Sequence, residues 1–185
     1  MKAVAAAALG AAALLAGCGG GGGGSGQTVA HVGGDAISKK QLDDVVGHFR
    51  AETEHEGSTF PKDGTKEFRK FRDQLLGLLV YRQELRQAAR RLGVEADPNE
   101  IGKRLAASKA ANGEEEEAGG SDAFARDSVE AQLLFEGIYA KVTRGIKGAT
   151  AAQAIARKNA RMTAFLKRLR EGTKVSYEPG YAPSS

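Results

Sequence analysis

The chain predicts a mainly α fold: about five helices, with a small antiparallel sheet formed by short strands at its N- and C-terminal ends. Three observations carry this. Apolar residues recur at helical spacing in five windows between Ser38 and Arg170. Capping residues and glycine or proline breaks punctuate those windows. Strand-like patterns occur only at the two ends, around Thr28–Ile37 and Lys174–Tyr177, in runs too short to be stable alone. Pairing the first strand with the last is the economical arrangement, and it brings the ends of the domain together.

The elements follow in order. Thr28-Val29-Ala30-His31-Val32 is a short strand, Gly33-Gly34-Asp35 a turn, and Ala36-Ile37 pairs back as a tight hairpin. Ser38 is an N-cap with Gln41 three residues on, a capping box. Leu42, Val45, Val46 and Phe49 then follow at i, i+3, i+4 and i+7, one apolar helical face. Gly57 to Gly64, with Pro61, breaks the pattern. A long helix starts near Thr65 and carries Phe68, Phe71, Leu75, Leu78, Leu79, Leu85, Ala89 and Leu92 on its apolar side. Gly93 is its natural C-cap and Val94 the accompanying apolar contact.

Asp97-Pro98-Asn99-Glu100 starts the next helix: Asp caps, Pro sits at N1 and Glu closes the box, with Ile101 and Leu105 giving a thin apolar face. Ala111 to Gly120 reads as a loop, and its run Glu114 to Glu117 repels itself and stays solvated. A fourth helix follows a cap at Ser121, with Phe124, Ala131, Leu134, Phe135, Ile138 and Val142 as its stripe. Thr150 and Gln153 form another capping box. The last helix carries Ile155, Met162, Phe165, Leu166 and Leu169 and ends before Gly172. Val175 and Tyr177 alternate with Lys174 and Ser176 as a closing strand.

The first residues are a separate unit. Met1-Lys2 precede an apolar run from Ala3 to Ala16, the form of a secretory signal and too short for a bilayer span of about 20 residues. The run ends Leu15-Ala16-Gly17-Cys18, which resembles the lipobox of bacterial lipoproteins. That resemblance implies peptidase recognition at Leu15, Ala16 and Gly17, and diacylglycerol on the thiol of Cys18. Two acyl chains give lasting anchorage where one does not. Cys18 is the single cysteine, so the processed chain has no disulfide. Gly19 to Gly24, Ser25 and Gly26 read as a flexible linker. The expected organisation is a signal peptide at 1–17, a lipidated linker at 18–26, a folded domain at 27–178 and a disordered tail at 179–185.

The formal charge of +4 falls to about +3 once residues 1–17 leave with their one Lys. This mild basicity favours anionic lipid or acidic clients. There is no Trp, and no basic stripe is interleaved with stacking aromatics, so no nucleic-acid partner is expected.

These elements in this order resemble the chaperone domain of the SurA and PrsA foldases of bacterial envelopes. Val29-Ala30-His31-Val32-Gly33-Gly34-Asp35-Ala36-Ile37-Ser38, on to Leu42, is similar to the family's opening strand, glycine turn and capped helix. Leu75-Leu76-Gly77-Leu78-Leu79-Val80-Tyr81-Arg82-Gln83-Glu84-Leu85, on through Leu92-Gly93-Val94 to Ile101, is similar to its long helix, break and next helix. Phe165 to Tyr177 is similar to its closing helix and strand. The resemblance covers most of 28–177. It implies an ATP-independent holdase or foldase helper, extracytoplasmic, on the outer face of the cell membrane or, in a Gram-negative host, on the outer membrane. Its partners would be unfolded or newly exported polypeptides and, through the lipid, a membrane.

One departure bears on mechanism. Family members usually carry a parvulin-type prolyl isomerase domain of some 90 residues between the two late helices. Here only a few residues separate Val142 from Thr150, and His31, His48 and His55 all precede the long helix. The expectation is a chain without isomerase catalysis, because lowering the barrier at X-Pro needs a shaped pocket. A non-catalytic subunit that binds one envelope partner is the alternative reading, and an active isomerase a third.

Among candidate sites, His48, Glu52 and His55 at i, i+4 and i+7 are spaced to share a helix face, but an exposed polar face explains them as well as a metal does. No catalytic residues, metal or cofactor are expected. Phe68, Phe71, Leu75, Leu78 and Leu79 have two readings. They pack the core, or they line a concave apolar groove for extended clients, as the resemblance implies. Met162 is a lesser candidate for the same surface.

Overall fold

The computed structural model describes residues 26–112 and 122–183. The order is β1 (Thr28–Val32), β2 (Asp35–Ser38), α1 (Lys39–His55), α2 (Lys66–Leu92), α3 (Pro98–Asn112), α4 (Asp122–Val142), α5 (Ala151–Gly172) and β3 (Val175–Tyr177). The sheet order is β2-β1-β3, antiparallel throughout, so the closing strand pairs with the opening one as expected. Cys18, the signal run, Glu114 to Glu117 and Ser121 lie outside the described residues.

β1 departs from simple alternation. Its pairing with β2 slips between Thr28 and Ala30, so Val29 and Ala30 are both buried. An extra residue in one strand breaks the period of two at that point. Gly33 makes the following turn at φ 58°, and an added Cβ there would lie 3.0 Å from the Gln87 side chain. The left-handed backbone favours glycine, and a larger residue would also press on the end of the Gln87 side chain.

Local chemistry starts and stops α1, α2 and α5 and starts α3. Ser38 accepts from the Gln41 N–H at 3.2 Å, and the Gln41 side chain accepts from the Ser38 N–H at 2.8 Å, the reciprocal box. The Thr65 hydroxyl accepts from the Phe68 N–H at 3.1 Å. α2 ends in a left-handed Gly93, with the Val94 N–H donating to the Ala89 carbonyl at 2.9 Å, a Schellman closure. Two caps differ in detail from expectation. Asp97 accepts from the Asn99 N–H at 2.8 Å, while Glu100 turns away to pair with Arg104 at 3.4 Å. Thr150 caps α5 at Gln153, but the Gln153 side chain accepts from the Ala149 N–H, one residue outside the expected box.

α2 is the spine, about 40 Å long over 27 residues. It runs through two apolar clusters. The first joins β1, β2, α1 and the N-terminal half of α2: Val29, Val32, Ile37, Leu42, Val45, Leu75, Leu76 and Val80. The second joins the C-terminal half of α2 to α4 and α5: Leu85, Ala88, Ala89, Leu134, Ile138, Met162 and Leu169. Polar ties fix the frame. Gln87 donates to the Val32 carbonyl at 2.6 Å and to Asp35 at 2.9 Å, and Arg90 donates to Asp35 at 2.6 Å, holding the hairpin turn on α2. Arg104 forks onto Glu136 with two bonds of 2.8 Å, fastening α3 to α4.

The end of the chain also departs from expectation. Residues 178–181 are a packed turn: the Tyr181 N–H donates to the Glu178 carbonyl, and Arg72 donates to the Gly180 carbonyl at 2.9 Å. The Arg72 guanidinium lies 5.0 Å over the Tyr181 ring. An aromatic side chain gains by covering apolar surface, and Tyr181 packs against the first cluster.

Candidate functional site

Five of the seven phenylalanines gather where α1 ends and α2 and α4 begin. Phe49 of α1 meets Phe71 of α2 at 6.0 Å and Phe124 of α4 at 5.5 Å, both edge to face. Phe60, from the loop between α1 and α2, meets Phe71 at 5.2 Å and Phe68 at 6.4 Å. Edge-to-face pairs at such spacing are attractive beyond their buried area. Phe60 is buried, but Phe49, Phe68, Phe71 and Phe124 are half-buried, so the cluster reaches the surface.

Cations border it. Arg50 lies 5.0 Å over Phe60 and Arg82 4.7 Å over Phe124. Arg82 is buried and donates to Asp127 at 2.6 Å and to the Ser128 hydroxyl at 2.7 Å. Arg86 binds the same Asp127 and reaches Glu130 at 3.0 Å. Burial first, and repulsion from Arg86 second, hold the Arg82 guanidinium below the usual arginine range. The network locks the start of α4 on α2 and so fixes Phe124 in the cluster.

The sequence candidates divide. Phe68 and Phe71 belong to the aromatic cluster, and Leu78 and Leu79 are half-buried further along α2. Leu75 is 6% exposed and is a core residue, which removes it from any surface. Met162 is likewise core, in the second cluster, where its flexible chain fills a gap between helices rather than facing solvent. Ile155, expected on the apolar stripe of α5, is 57% exposed because it lies beyond the part of the helix that docks.

The polar triplet on α1 does not converge. His48 stacks on Phe124 with centroids 4.3 Å apart, whereas Glu52 and His55 are exposed. Among the described residues no group of three His, Cys, Asp or Glu is placed to hold a metal. Sequence reasoning put Phe49 and Phe124 on separate helix faces and did not single out Phe60. The available signal was a phenylalanine in a Gly- and Pro-rich loop, which must find burial somewhere.

An apolar, partly open, cation-bordered surface of this kind can hold an extended chain by side-chain burial. Among the described residues no helix is long and apolar enough to cross a membrane. No curated protein matches the chain. A family model, the SurA-like N-terminal domain, matches residues 1–118, a span that takes in the hairpin, α1, α2 and α3. The chain is therefore a member of the SurA-like N-terminal domain family.

Proposed function

We propose that this protein is a lipid-anchored, extracytoplasmic chaperone that binds unfolded, newly translocated polypeptides without ATP and without catalysis. The observation that carries the reading is the partly exposed aromatic cluster: Phe49, Phe68 and Phe71 lie in the segment that matches the family, and Phe124 joins them from α4 beyond it. Clients would bury apolar side chains there, with Leu78 and Leu79 extending the surface along α2. Binding lowers the free concentration of unfolded chains and so slows their aggregation. The anchor would be lipid on Cys18, after recognition of Leu15, Ala16 and Gly17. It would hold the domain on the outer face of the cell membrane, or on the outer membrane of a Gram-negative host. A non-catalytic role fits the short span 143–150 between α4 and α5, which has no room for an inserted isomerase domain.

The test is an anisotropy titration of the chain from Cys18 into a labelled, permanently unfolded polypeptide, with a folded protein as control. Micromolar binding of the unfolded chain alone is expected, weakened about tenfold by Phe68→Ser with Phe71→Ser, the loss that about 1.4 kcal/mol produces. No binding at any reachable concentration would sink the reading and turn the search to a single folded envelope partner.

A further inference from the structure

α5 carries Arg157, Lys158, Arg161, Lys167, Arg168 and Arg170 against one carboxylate, Glu171. Its formal charge of +5 exceeds the +4 of the whole chain, so everything else together is at −1. The helix docks by a narrow stripe, with Met162 and Leu169 buried and Phe165 and Leu166 partly so. Arg157, Arg161 and Arg168 stand at i, i+4 and i+11, within about 40° of one another at 3.6 residues per turn. All three are exposed. Little inside the protein neutralises them. Lys167 takes Glu171 at 3.8 Å, and Arg157 donates only to the Lys147 carbonyl. Among the described residues Arg161 and Arg168 make no ion pair.

We propose that this face of α5 docks on anionic phospholipid headgroups. A concentrated cationic surface attracts a polyanion, and the choice of polyanion rests on the tether in the functional reading above. From Cys18 to Gly26 the chain is nine residues, which span at most about 30 Å. A tethered domain is thus never farther from the bilayer than about its own helix length, and weak attraction becomes effective at that local concentration. Contact is with headgroups and not by insertion, because the apolar stripe of α5 is used in the core. Ile155 lies on that stripe, seven residues before Met162, and not on the basic face. The aromatic cluster is elsewhere: α5 packs near Leu85, and Phe68 lies roughly 25 Å back along α2. One surface can therefore hold the membrane while the other holds a client.

The test uses the chain from Cys18 with Cys18→Ser, which removes the lipid and keeps every described residue. It is co-sedimented with phosphatidylcholine vesicles, with and without phosphatidylglycerol. Binding is expected only to the phosphatidylglycerol vesicles, and about 0.5 M salt should abolish it by screening. The triple variant R157E/R161E/R168E should bind about a hundredfold more weakly, with unchanged circular dichroism and unchanged affinity for the unfolded polypeptide. Equal binding by the variant, binding to both vesicle types, or binding to soluble polyglutamate but not to vesicles would overturn the proposal. Vesicle binding without polypeptide binding would leave it standing and remove the chaperone reading instead.

Discussion

The two ends of α2 serve different cores. Its N-terminal half packs on a three-stranded sheet and on α1, is rich in phenylalanine, and is covered by the Tyr181 turn. Its C-terminal half packs on α4 and α5, through aliphatic side chains with Tyr81, Phe135 and Phe165 at the margin. Buried Arg82 and Glu84 mark the change of partner. A helix of this length cannot present one uniform stripe to two differently oriented neighbours, so the stripe rotates where the polar residues intervene. The consequence is a division of surface chemistry: apolar and aromatic at one end, cationic at the other.

The largest expected effects test whether the two clusters fold as one. Leu76 and Ile138 are each 0% exposed, one in each cluster. Leu76→Ala and Ile138→Ala should each cost about 2–5 kcal/mol in urea unfolding and leave a single transition. A second transition with Ile138→Ala alone would show that the α4–α5 half melts by itself and would break the picture of a shared spine.

A smaller effect sharpens the account of how α2 ends. An added Cβ at Gly137 would lie 2.5 Å from a Val94 methyl, so α4 approaches the chain here only because the residue is glycine. Gly137→Ala should cost about 1–3 kcal/mol by overpacking. Adding Val94→Ala should recover part of that loss, a non-additivity that a double-mutant cycle measures. Strict additivity would mean that the contact is relieved elsewhere.

The smallest effect lies at the boundary. Burial pushes the Glu84 carboxyl above the usual range, against the opposing field of Arg170 on α5, with Tyr81 and Tyr177 nearby. A raised carboxyl pKa means that ionisation opposes folding, so stability falls as pH rises past the ordinary glutamate range. Glu84→Gln should therefore raise Tm near neutral pH by about 2–4 °C, the shift about 1 kcal/mol produces at this size. The gain should vanish in mild acid. Asp35 titrates in the opposite sense. Burial raises its pKa, but hydrogen bonds from Gln87, Gln83 and Arg90 outweigh that and lower it. Its contribution is present above the ordinary aspartate range and is lost as pH falls through the lowered value. Thermal melts across pH, comparing Glu84→Gln with Asp35→Asn, separate the two.

Much of the frame was legible without coordinates. The Ser38–Gln41 box, the Thr65 start, the Gly93–Val94 stop and the strands at either end are local, and local hydrogen bonding and backbone freedom dictate them. What was not legible depends on which faces meet. Periodicity places Phe49, Phe71 and Phe124 on three helix faces, but only packing brings their rings to within about 6 Å. It puts Leu75 and Phe71 on one stripe, yet Leu75 is buried in the first cluster and Phe71 stays half open. It gives α5 an apolar stripe from Ile155 to Leu169, yet the helix docks on only part of it.

The sequence by itself determined the helices, most of their ends, the strand patterns at either end and the concentration of charge on α5. Tertiary structure alone decided the bulge at Val29, the packing of Tyr181 and the joining of five phenylalanines into one partly exposed cluster. The reason is physical. Capping and periodicity are satisfied within a few residues of chain, whereas burial is shared among elements and is settled only when the last of them has packed.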